Sequence, residues 1–222
     1  MSTVLHLDAS ARLTRSVSRA LSERFVGAWR AARPGDAIVR RDLAVDPPPH
    51  VSEAWIAAAF SPPGARSAEM QAALAWSDAA IDELVAADVV VIGTPMYNYG
   101  MPSALKAWID QVIRVGRTFS FDLARGDHPI RPILKGKRLV VLSARGEFGF
   151  APGGARAALN HLDPHMAVCA PYLGAAADAV STVTVEYQEF GDARHARSQA
   201  DAEAQVMALV EAMATGAETR AA

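Results

Sequence analysis

Short apolar runs alternate with helix-period segments along the chain, and this alternation predicts most of its elements. Val4 to Asp8 predicts a first strand. Val17, Leu21, Phe25 and Ala28 then recur at helical spacing until "RPGD" at 33–36 stops the helix. "AIVRRDL" (37–43) reads as a second strand, polar enough for a sheet edge. The prolines of "VDPPPH" forbid a helix, and "SEAWIAAAF" and "SAEMQAALAWSDAAIDELVAA" predict two helices parted by the breaker "SPPGAR". "DVVVIGT" is a continuous β-branched run, the pattern of a parallel strand buried on both faces. "SALKAWIDQVIRVG" predicts a helix capped by Ser103. Residues 117–135 lack periodicity and are expected to form a long loop or small excursion. "KRLVVLSAR" and "AVSTVTVEY" predict the last two strands, and alanine-rich spacing from Asp192 to about Ala214 a closing helix.

Alternating strands and helices imply an α/β fold, a parallel sheet wrapped by right-handed crossovers with helices on both faces. In such sheets ligands bind beyond the carboxyl ends of the strands, beside the point where strand order reverses. The loops after Asp8, Gly93 and Ser143 therefore hold the chemistry to be sought.

Composition narrows the picture. The 222 residues, 51% of them hydrophobic, can bury one substantial core, and no linker or repeat divides them, so a single domain over 1–222 is expected. A net charge of −2 with mixed signs argues against nucleic acid or anionic lipid as partners. The single Cys169 excludes an internal disulfide framework and fits a reducing, cytoplasmic setting. No secretory signal precedes the first strand and no run of 18 apolar residues exists, so no membrane association is expected.

The first loop, "DASARLTRSVSR", empties a strand into hydroxyls and arginines just where a helix opens. A helix N-terminus offers unpaired N–H groups and partial positive charge, which suit a phosphate. Ser10, Ser16 and Ser18 add hydroxyl donors, and Arg12 and Arg15 add charge. Neither G-x-G-x-x-G nor G-x-x-x-x-G-K occurs usefully, so a monophosphate held by hydroxyls is favoured over a pyrophosphate cradled by glycines. Read alone, the loop is more simply an ordinary cap at Ser16 with solvated arginines, since serine is among the commonest caps. The second loop, "GTPMYNYGMPSALKAWIDQV", is stiffened by Pro95 and Pro102 and carries Met96, Tyr97, Asn98 and Tyr99. Flat, soft side chains on a rigid loop suit a planar aromatic ligand, and Asn98 can both donate to it and accept from it. The third loop, "SARGEFGFAPGG", sets Arg145 and Gly146 at the same sheet edge, with Gly149, Gly153 and Gly154 implying mobility or close approach to a ligand.

Together these loops resemble the FMN-dependent NAD(P)H azoreductase and quinone reductase family, which is flavodoxin-like. The family's opening pattern D-S-S-x-R-x-x-x-S-x-S-R reads here "DASARLTRSVSR", with Ala9 for its first serine. Its central signature appears almost unbroken as "PMYNYGMPSALKAWID" over 95–110, and "VIRVGRTFSF" resembles the segment that follows. The likeness runs from the first strand to about Tyr187. It implies a doubly wound five-stranded parallel sheet with helices on both faces. It also implies FMN, its phosphate on Ser10, Arg12, Ser16, the Val17 N–H and Ser18. The ring would lie against Pro95, Met96, Tyr97, Asn98 and Tyr99, with Ser143, Ala144, Arg145, Gly146 and Glu147 on the far edge. By resemblance NADH or NADPH reduces the flavin and departs, and a quinone or aromatic azo compound then takes two electrons at the same face. Ping-pong kinetics and a homodimer follow from the likeness. No protein acid–base group is required; water, His165 or Tyr187 could supply a proton.

The chain departs from the family in the third loop, where S-R-G-G is replaced by "ARGE" at 144–147, with Ala144 for the serine and Glu147 for a glycine. Glu147 would be strained if it needed a positive φ, and its carboxylate near the flavin would disfavour an anionic reduced ring. Two other functions share the fold: a flavodoxin-type electron carrier, which is usually more acidic, and a cofactor-free binding protein. His161, His165 and Cys169 recur at i, i+4 and i+8, but Asp163 and Pro164 read as an N-cap and first helical residue, which leaves His161 outside the helix, so no metal is expected.

Overall fold

The computed structural model describes residues 1–218. Its elements run β1 (Thr3–Asp8), α1 (Val17–Ala32), β2 (Ala37–Asp42), α2 (Glu53–Phe60), α3 (Ala68–Ala86), β3 (Val89–Pro95), α4 (Ser103–Val112), β4 (Phe119–Phe121), β5 (Ile130–Pro132), β6 (Arg138–Ala144), α5 (Asp163–Cys169), β7 (Val180–Val185) and α6 (Ala193–Glu218). Five strands form one parallel sheet in the order β2-β1-β3-β6-β7, and β4 and β5 form a separate antiparallel pair. The polar second strand does lie at an edge.

The apolar runs of β3 and β6 follow from their central position. Val90, Ile92, Leu139 and Val141 pack against α3, α4 and α5, while Val89, Val91, Val140 and Leu142 pack against α1 and α6. Every residue of β3 is buried. Trp108 and Ile109 both enter the core beside Leu105 and Val112, so neither is available to a surface contact. Strand order reverses between β1 and β3. There Asp8 pairs with Gly93 in register, and one step along the sheet Pro95 pairs with Ala144. The three loops singled out above thus leave adjacent strand ends.

Several boundaries differ from expectation. Pro102, not Ser103, occupies the cap of α4; its ring holds an extended backbone, its carbonyl accepts from Lys106 N–H at 3.0 Å, and no side chain caps the helix. The helix ends at Val112 instead of continuing to Gly116, because Thr118 folds back: its Oγ1 accepts from the Arg114 N–H at 2.8 Å and donates to the Val112 carbonyl at 2.9 Å. Leu162 occupies the cap of α5 ahead of Asp163; Asn160 Oδ1 takes the Leu162 and Asp163 N–H groups at 3.2 and 3.1 Å. The aperiodic stretch 117–135 is the excursion carrying β4 and β5.

Candidate functional site

At the start of α1 the backbone is extended at Ser16, whose side chain accepts from the Arg19 N–H at 3.4 Å. The first-turn N–H groups that follow have no partner within the helix. Ser10, Ser16 and Ser18 are all buried, and their bonding leaves donors to spare. Ser10 Oγ accepts from the Arg12 N–H at 3.2 Å, and Ser16 and Ser18 Oγ lie 3.4 Å apart. A hydroxyl that already accepts a backbone N–H still has its own O–H to give. Hydroxyls and free N–H groups gathered at a helix N-terminus suit an anion. The capping role of Ser16 is thus present, and it is compatible with the anion-site reading.

The second loop is a tight two-residue hairpin. Tyr97 and Gly100 exchange backbone hydrogen bonds at 3.0 Å, and the central residues Asn98 and Tyr99 have φ of 46° and 66°. Such a turn needs two left-handed residues, which Asn tolerates and a bulky Tyr resists, so the loop is held by its surroundings. Those surroundings are the third loop: the Tyr99 carbonyl accepts from the His161 N–H at 2.9 Å, and its ring packs against Phe150 at 6.3 Å between centroids.

Between these loops lies a cleft of about 490 Å³, lined by Ser10, Arg12, Ser16, Val17, Ser18, Pro95, Met96, Tyr97, Asn98, Ala144, Gly146, Gln188 and Glu189. This is ordinary size for a cofactor site. Four expected residues stand outside it. Ser143 is buried in β6 and bonds Thr184 at 2.9 Å. Arg145 is also buried, its guanidinium on Asp163 at 2.6 Å and over the Phe150 ring at 5.6 Å. Its charge braces the loop from behind instead of facing the cleft. Tyr99 turns toward Phe150, as described. Glu147 pairs with Arg156 at 3.2 Å. The feared strain at Glu147 does not arise either, since the residues of this loop with positive φ are Gly149 and Gly153. Gly154 is needed because a Cβ there would strike the Gly149 carbonyl, so its close approach is to the chain itself. His165 and Tyr187 do not line the cleft; Tyr187 stacks on Phe148 at 4.5 Å.

Gln188 and Glu189 were not foreseen. They reach the site because pairing continues past the end of β7. The N–H groups of Tyr187, Gln188 and Glu189 donate to the carbonyls of Glu147, Arg145 and Gly146 at 3.2, 3.1 and 3.1 Å. The Glu189 side chain then lies directly over Gly146, where an added Cβ would meet its Oε1 at 2.5 Å. The carboxylate at this wall is thus Glu189, with Arg12 at the hydroxyl-rich end.

Beneath the first loop runs a buried network. Asp8 accepts from Ser22 Oγ at 2.8 Å and from Arg40 at 2.9 Å, with His6 Nε2 at 3.5 Å and Arg19 at 3.6 Å. Burial opposes its charge, yet the His6 contact, the Ser22 bond and Arg19 hold its carboxyl below the usual range. The Asp8–Ser22 bond passes so close to β3 that any side chain at residue 93 would collide with it, which explains Gly93. The hydrogen bonds from Arg19 likewise hold Asp42 below the usual carboxylate range. Among the described residues His6, Asp8 and Glu23 form a group with metal-like spacing, but Arg40 already bridges its two acids at 2.9 and 2.5 Å. The local cation is a guanidinium.

Strand order β2-β1-β3-β6-β7 with a cleft at its switch point defines a doubly wound protein of the flavodoxin type. The chain belongs to the family of flavodoxin-like fold, whose model matches residues 2–210. It is 47% identical over 209 residues to an FMN-dependent NADH:quinone oxidoreductase of Idiomarina loihiensis, covering 91% of this chain and 86% of that one. A second FMN-dependent NADH:quinone oxidoreductase, from Colwellia psychrerythraea, is 46% identical over 217 residues, 95% and 98% of the two chains. The solved structure of the azoreductase AzrA superposes with a TM-score of 0.83 at 25% identity, covering 94% of this chain and 99% of that one.

Proposed function

We propose that this protein is an FMN-dependent NAD(P)H:quinone oxidoreductase that also reduces aromatic azo compounds. The observation that carries this reading is the single cleft joining a hydroxyl-rich helix N-terminus to a rigid, aromatic hairpin. Relatives sharing nearly half of its residues bear that quinone-reducing activity in their names, and the azoreductase likeness extends it to azo compounds.

In this reading Ser10, Ser16 and Ser18 donate to the FMN phosphate, helped by the α1 N-terminus and Arg12. Pro95, Met96, Tyr97 and Asn98 line the site of the ring, with Ala144 and Gly146 opposite. Asn98 can meet a ring donor and a ring acceptor together. When bound there, FMN would supply the two-electron redox chemistry that links a nicotinamide donor to a quinone or azo acceptor. The protein's part is to bind, orient and leave one face open. That open face serves donor and acceptor in turn, which gives ping-pong kinetics. His165 and Tyr187 lie outside the cleft lining; in this reading water entering by the open face supplies any proton. Exposed Phe121, Leu123, Ile130 and Ile133 around the β4–β5 excursion support a homodimer. No helix among the described residues is long and apolar enough to cross a membrane; a cytoplasmic setting belongs to this reading because NAD(P)H is available there.

The test is an absorbance spectrum of the purified protein with anaerobic NADH and NADPH titration, followed by turnover with menadione and methyl red. Bound flavin that bleaches with nucleotide and recovers with either acceptor supports the reading. Flavin that binds without turnover identifies an electron carrier, and a colourless protein that ignores added FMN removes the assignment.

A further inference from the structure

Arg19, in the first turn of α1, sits behind the first loop and is buried. Four of the five N–H groups of its guanidinium are hydrogen-bonded. Two N–H groups take the Ser10 carbonyl, from Nη2 at 2.8 Å and Nε at 3.3 Å, and two take Asp42 at 2.6 and 2.7 Å. Asp42 closes β2, and its Oδ1 also accepts from the Ala44 N–H at 3.1 Å, so the arginine is fixed from the far side. The captured group matters because carbonyl oxygens are unwelcome in an anion site. A loop built to receive a phosphate must turn them away and present N–H groups instead. In a trans peptide C=O and N–H point to opposite sides. Drawing the Ser10 carbonyl toward Arg19 therefore turns the Ala11 N–H away from that guanidinium.

We propose that Arg19 is a positioning residue that sets the polarity of the phosphate loop, acting through the Ser10 peptide and without touching the ligand. Asp42 is its anchor. The proposal rests on the FMN reading above and adds a determinant of discrimination between phosphorylated and unphosphorylated flavin. Lysine cannot replace this arginine, because a single ammonium lacks the planar fork that serves one carbonyl and two carboxylate oxygens together.

The experiment measures dissociation constants of FMN and of riboflavin for the apo forms of wild type, Arg19→Lys and Arg19→Met. The expected result is a fall in the FMN-over-riboflavin preference of at least tenfold for Arg19→Met and several-fold for Arg19→Lys, with riboflavin affinity within twofold of wild type. Arg19→Lys keeps the charge and a long stem, so it remains informative if Arg19→Met fails to fold. A lysine variant with the full wild-type preference overturns the proposal, since long-range charge would then suffice. Equal loss of both affinities overturns it as well, because Arg19 would then be merely structural. A wild type that binds FMN tightly while both variants keep its preference sinks this proposal alone. A wild type that binds neither flavin sinks the cofactor reading, and the proposal with it. Inorganic phosphate gives a flavin-free arm: it should raise the melting temperature of wild-type apoprotein and lose that effect in Arg19→Lys; equal protection of both overturns the proposal.

Discussion

The two ends of the cleft are built by opposite means. At the hydroxyl-rich end every lining group lies between Ser10 and Ser18, on one loop and the first turn of one helix. At the opposite wall Gly146 and Glu189 come from separate loops and meet only because backbone pairing outlasts β7. Local construction places several donors at once and commits them to one kind of ligand. Non-local construction leaves a wall whose side chains can vary while the backbone ladder keeps its shape.

The sharpest way to break this comparison is to remove the local donors. Ser16→Ala/Ser18→Ala should weaken FMN binding by about 100-fold or more, since each hydrogen bond to a charged group contributes roughly 1.5–3 kcal/mol. The apoprotein should lose the cap at Ser16, about 1 kcal/mol, together with the weak 3.4 Å Ser16–Ser18 contact, or roughly 2–4 °C in a chain of this size. Ser18→Ala alone removes no cap hydrogen bond, only the 3.4 Å contact with Ser16 Oγ, and should lower apoprotein stability by only about 0.5 kcal/mol. Parallel titration and thermal melts check this; equal losses in both would reduce the serines to helix caps.

The same contrast explains what could be read from residues alone. The sheet was legible because β3 and β6 are apolar on both faces, and the hydroxyl loop because its spacing is local. The hairpin's position was legible from "PMYNY", but its left-handed pair was not, because propensity does not foretell two consecutive positive φ values at Asn98 and Tyr99. Gln188 and Glu189 were illegible, because their place depends on strand register. Arg145 was misplaced for a similar reason: a lone arginine on a ligand-side loop reads as a ligand contact until its partner Asp163 is seen.

A second test probes the support beneath the local end. The pairing of Asp42 with Arg19 lowers the carboxyl's pKa in the folded protein, so the unfolded chain binds the proton more readily. The stability this pair contributes is present above the ordinary carboxylate pKa, about 3.9, and is lost as pH falls from there through the lowered folded value. Asp42→Asn should lower stability near neutrality by about 2 kcal/mol and flatten the decline below about pH 4. Chemical denaturation at pH 7 and pH 3 checks both; an unchanged acid slope would exclude Asp42 from the effect.

Turning to the non-local wall, Gly146→Ala places a methyl where the Glu189 side chain now lies. The flexible carboxylate must swing away, and the cleft is the space beside it. FMN affinity should fall by about tenfold, or roughly 1.4 kcal/mol. Glu189→Ala in the same chain should restore most of it. Failure of that rescue, measured by titration of the single and double variants, would mean that the methyl itself meets the ligand.

The smallest effect is expected where the sequence departs most visibly from its family. Glu147→Gly restores the family residue, yet it should change FMN affinity by less than about twofold. The Glu147 carboxylate is engaged by Arg156 at 3.2 Å, with both side chains partly exposed, and such pairs contribute roughly 0–1 kcal/mol. Residue 147 has no positive φ for a glycine to relieve, so the substitution adds backbone entropy to the unfolded chain at a cost of about 0.5–1 kcal/mol. The flavin midpoint potential discriminates further. Glu147→Gln should leave it unchanged, whereas Glu189→Gln removes the wall's own carboxylate and should raise it by up to about 30 mV, a tenfold change in a two-electron equilibrium. If the shifts came out reversed, the carboxylate facing the flavin would be Glu147, and the wall would have to be redrawn around it.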